Sequence, residues 1–190
     1  MNRPTQLVLV IAAAVGVFAG FFAVRKAFEY FRAPTELRDW RSHTVAGLVF
    51  DAPGEFKIRT VDFGAAEEFI ESSEMRENKV TGFEIDLVRT VYKSGIDLNF
   101  DGAVMGAVNG LKQLDGVTNV EHTATEQTIS GKPARRLSVT ASRWRKTLHL
   151  EAVLISDGQT YYQVQAIFDS TNPRGQENAE HLLKSVRLAP

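Results

Sequence analysis

The segment Phe83–Tyr92 alternates between apolar and polar residues, which predicts a β-strand because successive side chains of a strand point to opposite faces. One face carries the apolar residues Phe83, Ile85, Leu87 and Val91, and the other carries Glu84, Asp86 and Thr90. Four further strands are predicted at 118–128, 134–142, 146–156 and 160–168. Turn residues separate them, the strongest signal being Asp157-Gly158, a dipeptide typical of two-residue hairpins. Shorter strands are predicted at 47–51 and 56–62, whereas Glu67–Asn78 stays ambiguous.

Two segments have the helical period instead. Residues 101–114 have apolar residues at helical spacing, and Asp101 is the predicted N-cap. The apolar positions are Val104, Ala107, Val108, Leu111 and Leu114. Asn172-Pro173 predicts a second helix start, followed by the stripe Ala179, Leu182, Leu183 and Val186. Strands in hairpin succession combined with few helices predict an α+β domain, an antiparallel β-sheet with packed helices.

The apolar run Leu7–Val24 contains eighteen residues without a charge or a hydroxyl group. A helix of this length spans about 27 Å, close to the hydrocarbon thickness of a bilayer. It therefore predicts a single-pass transmembrane anchor. A cleaved signal peptide remains the alternative, since Val17-Phe18-Ala19 resembles a cleavage site, although the apolar run continues beyond it. Gly16 and Gly20 have the spacing of close helix pairs, so a homodimer through that face is one expectation.

Cations lie on the carboxy-terminal flank of the run: Arg25, Lys26, Arg32, Arg38 and Arg41, against Arg3 on the other side. The positive-inside rule therefore favours a cytoplasmic domain. The extracytoplasmic orientation stays open because long domains translocate largely regardless of charge. The predicted organisation is a tail at 1–6, the anchor at 7–24, a basic juxtamembrane linker at 25–43 with Trp40 as interfacial anchor, and a soluble domain at 44–190.

The 190-residue composition is that of an ordinary globular domain, with 44% apolar and 24% charged residues and a net charge of −1. Nothing in it favours nucleic acid as a partner. The absence of cysteine excludes disulfides, thiol catalysis and cysteine metal sites. No nucleophile or phosphate-loop motif is present, and the four histidines are scattered singly. The sequence thus predicts no enzyme activity, no metal site and no cofactor.

Two same-face pairs are weighed as half of a catalytic or metal site: His149 with Glu151, and Glu84 with Asp86. For both pairs the preferred interpretation is a solvated sheet face. The best candidate interaction surface is a basic cluster around an aromatic residue on the predicted hairpin: Arg135, Arg136, Arg143, Trp144, Arg145 and Lys146. Such a cluster suits anionic lipid headgroups or an acidic protein surface. The alternative is a charged hairpin that keeps a sheet edge soluble.

Several turn and core motifs carry a resemblance over residues 45–188. They are Ala52-Pro53-Gly54, the segment Ile129–Ala134, the segment Gly158–Gln163 and the final helix ending Leu183-Lys184-Ser185-Val186. This pattern resembles the PsbP-like α/β/α sandwich superfamily, which includes oxygen-evolving-complex subunits, Ran-binding import factors and uncharacterised bacterial membrane-anchored proteins. The resemblance implies a non-catalytic binding or assembly-accessory module and supplies no catalytic residues.

Together these observations predict a membrane-tethered, non-enzymatic binding module with a protein partner. The alternatives are a domain that binds anionic lipid through the basic tryptophan hairpin, and an enzyme with a dispersed site around His149 and Glu151. The sequence leaves open the identity of the partner and the oligomeric state.

Overall fold

The computed structural model describes residues 39–60, 63–80, 82–96 and 98–190. The predicted anchor at Leu7–Val24, with Gly16 and Gly20, lies outside these residues. Among the helices within them, none has the length and apolar character needed to cross a membrane.

A seven-stranded antiparallel sheet forms the centre of the fold, in the order β3-β4-β5-β9-β8-β7-β6. Its strands are β3 (Lys57–Arg59), β4 (Ile70–Val80), β5 (Phe83–Tyr92), β6 (Val117–Ile129), β7 (Lys132–Arg143), β8 (Lys146–Asp157) and β9 (Thr160–Asp169). A short 3₁₀ helix at Gly64–Phe69 precedes β4. The four consecutive strands from β6 to β9 form a meander, as the hairpin signals predict.

Helix α1 (Phe100–Lys112) covers one face of the sheet and contributes the predicted apolar stripe to its core, except for Leu114, which joins that core from just beyond the helix. Leu137, Leu150 and Leu154 of the sheet belong to the same cluster. The N-cap of α1 is Asn99, whose side-chain oxygen accepts a hydrogen bond from the Asp101 backbone N–H at 2.9 Å. Asp101, predicted as the cap, instead lies in the first turn, where its charge suits the helix dipole.

The opposite face is covered by helix α2 (Gly175–Ser185) and a small sheet made of β1 (Arg41–Val45), β2 (Leu48–Ala52) and β10 (Arg187–Leu188). Their second core cluster joins Leu48 and Phe50 to Phe83, Ile85 and Leu87 of β5. The fold therefore has three layers, and α+β with an antiparallel sheet and packed helices is confirmed.

Residues 40–43, at the end of the segment predicted as a linker, take part in the described fold. β1 begins at Arg41, and Trp40 packs against the second cluster, with its ring 4.5 Å from that of His181 in an edge-to-face arrangement. Trp40 thus contributes to the core of the domain. The ambiguous segment 67–78 forms the end of the 3₁₀ helix and most of β4. Its polar side chains do not predict a strand, but pairing with β5 supplies the backbone hydrogen bonds of one.

Candidate functional site

The β7–β8 hairpin ends in a two-residue turn, Trp144-Arg145, with Arg143 paired to Lys146. Trp144 has a φ angle of +54°, in the left-handed region that costs a residue with a Cβ about 1–2 kcal/mol. Its side chain is nevertheless 74% exposed. A large apolar ring is therefore held in solvent on a strained turn, an outlier of the kind that accumulates at functional sites.

Three contacts fix the position of Trp144. Its backbone N–H donates to the carbonyl oxygen of Gly116 at 3.3 Å, and the Arg143 guanidinium carbon lies 4.4 Å from the centroid of the indole ring. A Cβ on Gly116, which itself has a φ of +75°, would overlap the indole Nε1. The missing side chain of Gly116 thus makes room for the ring.

The three cations around the ring differ in their polar partners. Arg143 Nε donates to the Asp115 carbonyl oxygen at 3.1 Å, and partial burial lowers the pKa of the Arg143 guanidinium from its ordinary value. Lys146 Nζ lies 2.8 Å from Asp169 Oδ2. Although burial opposes it, hydrogen bonds from Lys146 and Thr171 lower the pKa of the Asp169 carboxyl. Arg145 is exposed and forms no ion pair with any residue in the described part of the chain.

The remaining two predicted surface residues lie elsewhere. Arg135 pairs with Asp101 and Glu126, and Arg136 pairs with Glu151 and Glu180. Because neighbouring strand residues point to opposite faces, these two arginines lie on opposite sides of the sheet, about 25 Å along β7 from the turn. The structure therefore brings together Arg143, Trp144, Arg145 and Lys146, which we call the tryptophan tip.

A second group of candidate side chains is buried on the α1 side of the sheet. Glu77, Glu84 and Asp86 each place a carboxylate oxygen within 4.8 Å of the others. The strand register explains this, since Glu77 lies directly opposite Asp86, and Lys79 directly opposite Glu84. Glu84 is 3% exposed and Asp86 is 0% exposed. The predicted solvated face is therefore wrong for this pair. We call these three residues the carboxylate cluster.

Cations and amides surround the carboxylate cluster. Lys79 Nζ lies 3.4 Å from Glu77 Oε2 and 3.3 Å from Glu84 Oε1, and Arg59 Nη1 lies 3.5 Å from Glu77 Oε2. Gln165 donates to Asp86 Oδ2 at 2.9 Å and closes a buried chain of hydrogen bonds that begins at Tyr161 and passes through Gln163. Among the described residues, Asp86 Oδ1 has no hydrogen-bond partner.

Burial changes the ionisation of this cluster. Desolvation and the neighbouring Asp86 charge raise the pKa of Glu84 to about 8, against the opposing effect of Lys79. Desolvation also raises the pKa of Asp86 to about 7, although the Gln165 hydrogen bond and the Arg59 charge lower it. The two carboxyls interact, so they titrate as a pair near neutral pH.

Three carboxylates at this separation have the oxygen chemistry that hard divalent cations prefer. The Lys79 ammonium, however, already lies between Glu77 and Glu84, where such an ion would sit. The geometry therefore favours a buried ion-pair network over a metal centre.

The second same-face pair, His149 with Glu151, also contains a carboxylate that forms an ion pair. Glu151 is buried and accepts hydrogen bonds from Arg136 at 2.9 Å and from Ser138 at 2.6 Å. His149 stacks on Phe168, with ring centroids 5.0 Å apart. Because Glu151 is buried, the predicted solvated face is wrong here too. Alternation groups the right residues on one face but carries no signal for what covers that face.

The sequence matches no family model and no curated protein. Among solved structures, it is similar to PA94 from Pseudomonas aeruginosa, described as a protein of unknown function and putative regulator. That match has 16% identity and a TM-score of 0.38, and it covers 75% of this chain and 90% of that chain. It is also similar to LpqN of Mycobacterium tuberculosis, described as involved in cell envelope biogenesis. Here the identity is 15% and the TM-score 0.44, with 80% of this chain and 91% of that chain covered.

Proposed function

We propose that this protein is a membrane-tethered, non-enzymatic binding module and that the tryptophan tip is its contact surface for a protein partner. The observation that carries the proposal is the exposed indole of Trp144, held at a positive φ over Gly116. A turn selected only for its backbone would favour glycine or asparagine at this position.

The chemistry of the tip suits recognition. Tryptophan and arginine are the residues most enriched among those that dominate protein interfaces. The stacked Arg143 and the close fit on Gly116 limit the movement of the indole before binding, which lowers the entropy cost of association. Arg145, exposed beside the ring, adds a positive charge that favours an acidic partner surface.

A binding role also fits the state of the buried carboxyls. Glu77 and Glu84 contact Lys79, and Glu151 contacts Arg136. The carboxylates of Glu77, Glu84 and Glu151 line neither of two surface grooves in the described part of the chain, although Arg136, the partner of Glu151, lines one of them. A dispersed catalytic site around His149 and Glu151 is therefore the weaker proposal, since the Glu151 carboxylate is committed to Arg136 and Ser138.

The membrane anchor at Leu7–Val24, the PsbP-like assignment and the cytoplasmic side are parts of the same proposal. The apolar run supports the anchor, and the sheet with a helix on each face supports the PsbP-like α/β/α sandwich. The cationic flank after residue 24 supports the cytoplasmic side. A carboxy-terminal reporter active only outside the cytoplasm tests that side, because a signal from it would reverse the assignment.

Photocrosslinking of the full chain in its native membrane tests the contact surface. A photoreactive phenylalanine analogue at position 144 is compared with the same analogue at Ile58, which is 73% exposed and lies on the edge strand β3, several strands away from the β7–β8 turn. We expect one discrete protein adduct from position 144 that weakens in the Arg145→Ala variant. Equal adducts from both positions, or none from position 144, would refute the proposed surface.

The second candidate function is binding of anionic lipid by the same tip, favoured by the cations beside an exposed indole. Trp144 fluorescence in nanodiscs containing brominated lipid tests it, with Trp144→Phe subtracting the signal of Trp40. Strong quenching in anionic discs and none in neutral discs would replace the protein partner with lipid. Unchanged fluorescence would leave the protein partner as the proposal.

A further inference from the structure

The two edges of the seven-stranded sheet differ in how they are protected. β3, at one edge, is a three-residue strand that carries Lys57 and Arg59. β6, at the other edge, is thirteen residues long and contains no lysine, arginine or proline. Short strands and cations are the usual devices that prevent an edge from pairing with another chain. Only one of the two edges uses them.

The outer side of β6 is accessible along most of its length. The side chains from Glu121 to Thr128 are all exposed, so both faces of the strand are open as well as its edge. No other strand in the described ranges pairs with this edge. Its ladder with β7 is uninterrupted from Glu121 to Ile129, which leaves a regular row of backbone N–H and C=O groups pointing outwards.

We propose that β6 pairs with β6 of a second copy of this chain, antiparallel and centred on Ala124, to join two sheets into one. The chemistry of the edge favours a second copy because the strand is complementary to itself. In this register His122 of each copy lies opposite Glu126 of the other, and Glu121 lies opposite Gln127. Both pairs allow a hydrogen bond from a side-chain nitrogen to a carboxylate.

Symmetry limits the alternatives. A two-fold axis through an antiparallel pair places one residue opposite itself, so each register is defined by its central residue. Centring on His122 places the two imidazoles opposite each other. Centring on Thr123 or Thr125 places Ala124 opposite His122 or Glu126. Only the register centred on Ala124 makes both His122–Glu126 pairs.

The centre also coincides with the regular part of the strand. Asn119 and Ser130 both have positive φ angles, +51° for each, and so mark the limits of the extended backbone. Ala124 lies midway between them to within one residue. Its small side chain leaves room at the axis, where the two copies approach most closely. The pairing thus uses nearly the whole regular length of β6.

Cysteine crosslinking in native membranes tests the pairing, since the natural chain has no cysteine. In the proposed register, Ala124→Cys places the two Cα atoms about 5 Å apart, within the range of a disulfide. Glu121→Cys is the matched control on the same exposed strand, with its two copies about 20 Å apart. We expect at least about tenfold more oxidised dimer from Ala124→Cys than from Glu121→Cys. Equal yields would overturn the proposal.

A second variant separates this contact from helix pairing in the membrane. The Ala124→Cys crosslink should keep its yield when Gly16 and Gly20 are replaced by leucine. Its loss would show that membrane helices drive the association and would overturn the β6 contact.

A charge exchange then tests the register. His122→Glu places two glutamates opposite each other and should lower the crosslinked fraction about tenfold. His122→Glu combined with Glu126→Lys restores opposite charges between the copies and should restore the yield. The exchange removes the Glu126–Arg135 ion pair within each chain, but Arg135 keeps its pairing with Asp101. Both side chains are exposed, so far-UV circular dichroism should show an unchanged fold in both variants. Failure of the double variant to recover, with the fold intact, would overturn the register centred on Ala124.

Discussion

On one side of β5, Phe83, Ile85 and Leu87 contact β2 and α2 through purely apolar surface. On the other side, Glu84 and Asp86 are as deeply buried but are surrounded by Lys79, Arg59 and Gln165. Both faces exclude water. The first face is stabilised at any pH by the removal of apolar surface from water. The stability of the second face depends on the protonation of its carboxyls and on the neighbouring cations.

The difference teaches that burial and apolar character are separate properties of a strand face. An apolar face gains free energy from burial alone, about 25 cal/mol per Å². A buried carboxylate loses hydration, and the loss is recovered only through partners such as Lys79 or through binding a proton. The polar face of β5 is therefore the part of the core whose stability can be changed by solution conditions.

The largest expected effect comes from the apolar face. Leu87→Ala should lower the free energy of unfolding by about 3 kcal/mol, because it removes a fully buried side chain and leaves a cavity between the layers. Urea denaturation of the fragment 39–190, at two pH values, measures it. The loss should be the same at pH 6 and pH 9. A pH-dependent loss would mean that the two faces are coupled.

The polar face predicts a dependence on pH between 6 and 9. The pKa values of Glu84 and Asp86, raised to about 8 and 7, mean that the folded state binds protons that the unfolded state has already released. Stability is therefore highest at the low end of this range and falls as the pH rises through 7 and 8, by on the order of 3 kcal/mol. Urea titrations at half-unit intervals of pH measure the slope.

The matched control replaces both carboxyls by amides, Glu84→Gln with Asp86→Asn. This variant keeps the shapes of the side chains but cannot ionise, so its stability should be nearly constant between pH 6 and 9. A natural chain that shows no slope in this range would contradict the assigned protonation. A slope that persists in the double variant would place its origin outside the carboxylate cluster.

These two faces also show what the sequence can predict. Alternation places Phe83 and Leu87 on one face and Glu84 and Asp86 on the other, and the meander and the helices follow from turn residues and apolar periods. Burial of the polar face is not predictable in this way, because it depends on strand pairing: Lys79 and Glu77 come to Glu84 and Asp86 only through the β4–β5 register. Glu77 lies in the segment 67–78, which is ambiguous in the sequence, and Lys79 follows that segment directly.

The same reasoning explains the candidate surface. The sequence analysis groups Arg135 and Arg136 with four residues of the turn because all six are close together along the chain: Arg143, Trp144, Arg145 and Lys146. In the extended strand β7, the two arginines lie about 25 Å from the turn, so only the four residues at the turn form one surface. Gly116 precedes β6 and Trp144 follows β7, so the contact between them joins residues that are far apart in the sequence. No local pattern in the sequence signals this contact.

Removal of the main counter-charge sharpens the comparison further. Lys79→Met keeps much of the stem of the side chain but leaves Glu84 and Glu77 without the ammonium, which should cost about 2 kcal/mol at pH 7. The loss should grow at pH 9, where Glu84 is ionised, and shrink at pH 6, where it is protonated. Urea denaturation at the three pH values measures it, and a loss of equal size at all three would assign Lys79 a packing role only.

The smallest expected effect lies on the polar face but outside its charges. Thr90 is buried, and its hydroxyl oxygen lies 3.3 Å from that of Ser73, which is exposed. Thr90→Val keeps the branched shape preferred in strands and removes one neutral hydrogen bond, whose Ser73 partner can turn to water. We expect a loss below about 1 kcal/mol with no dependence on pH between 6 and 9. A larger or pH-dependent loss would extend the ionisable network along β5 to Thr90, and the polar face would then act as one unit instead of as a charged half and a neutral half.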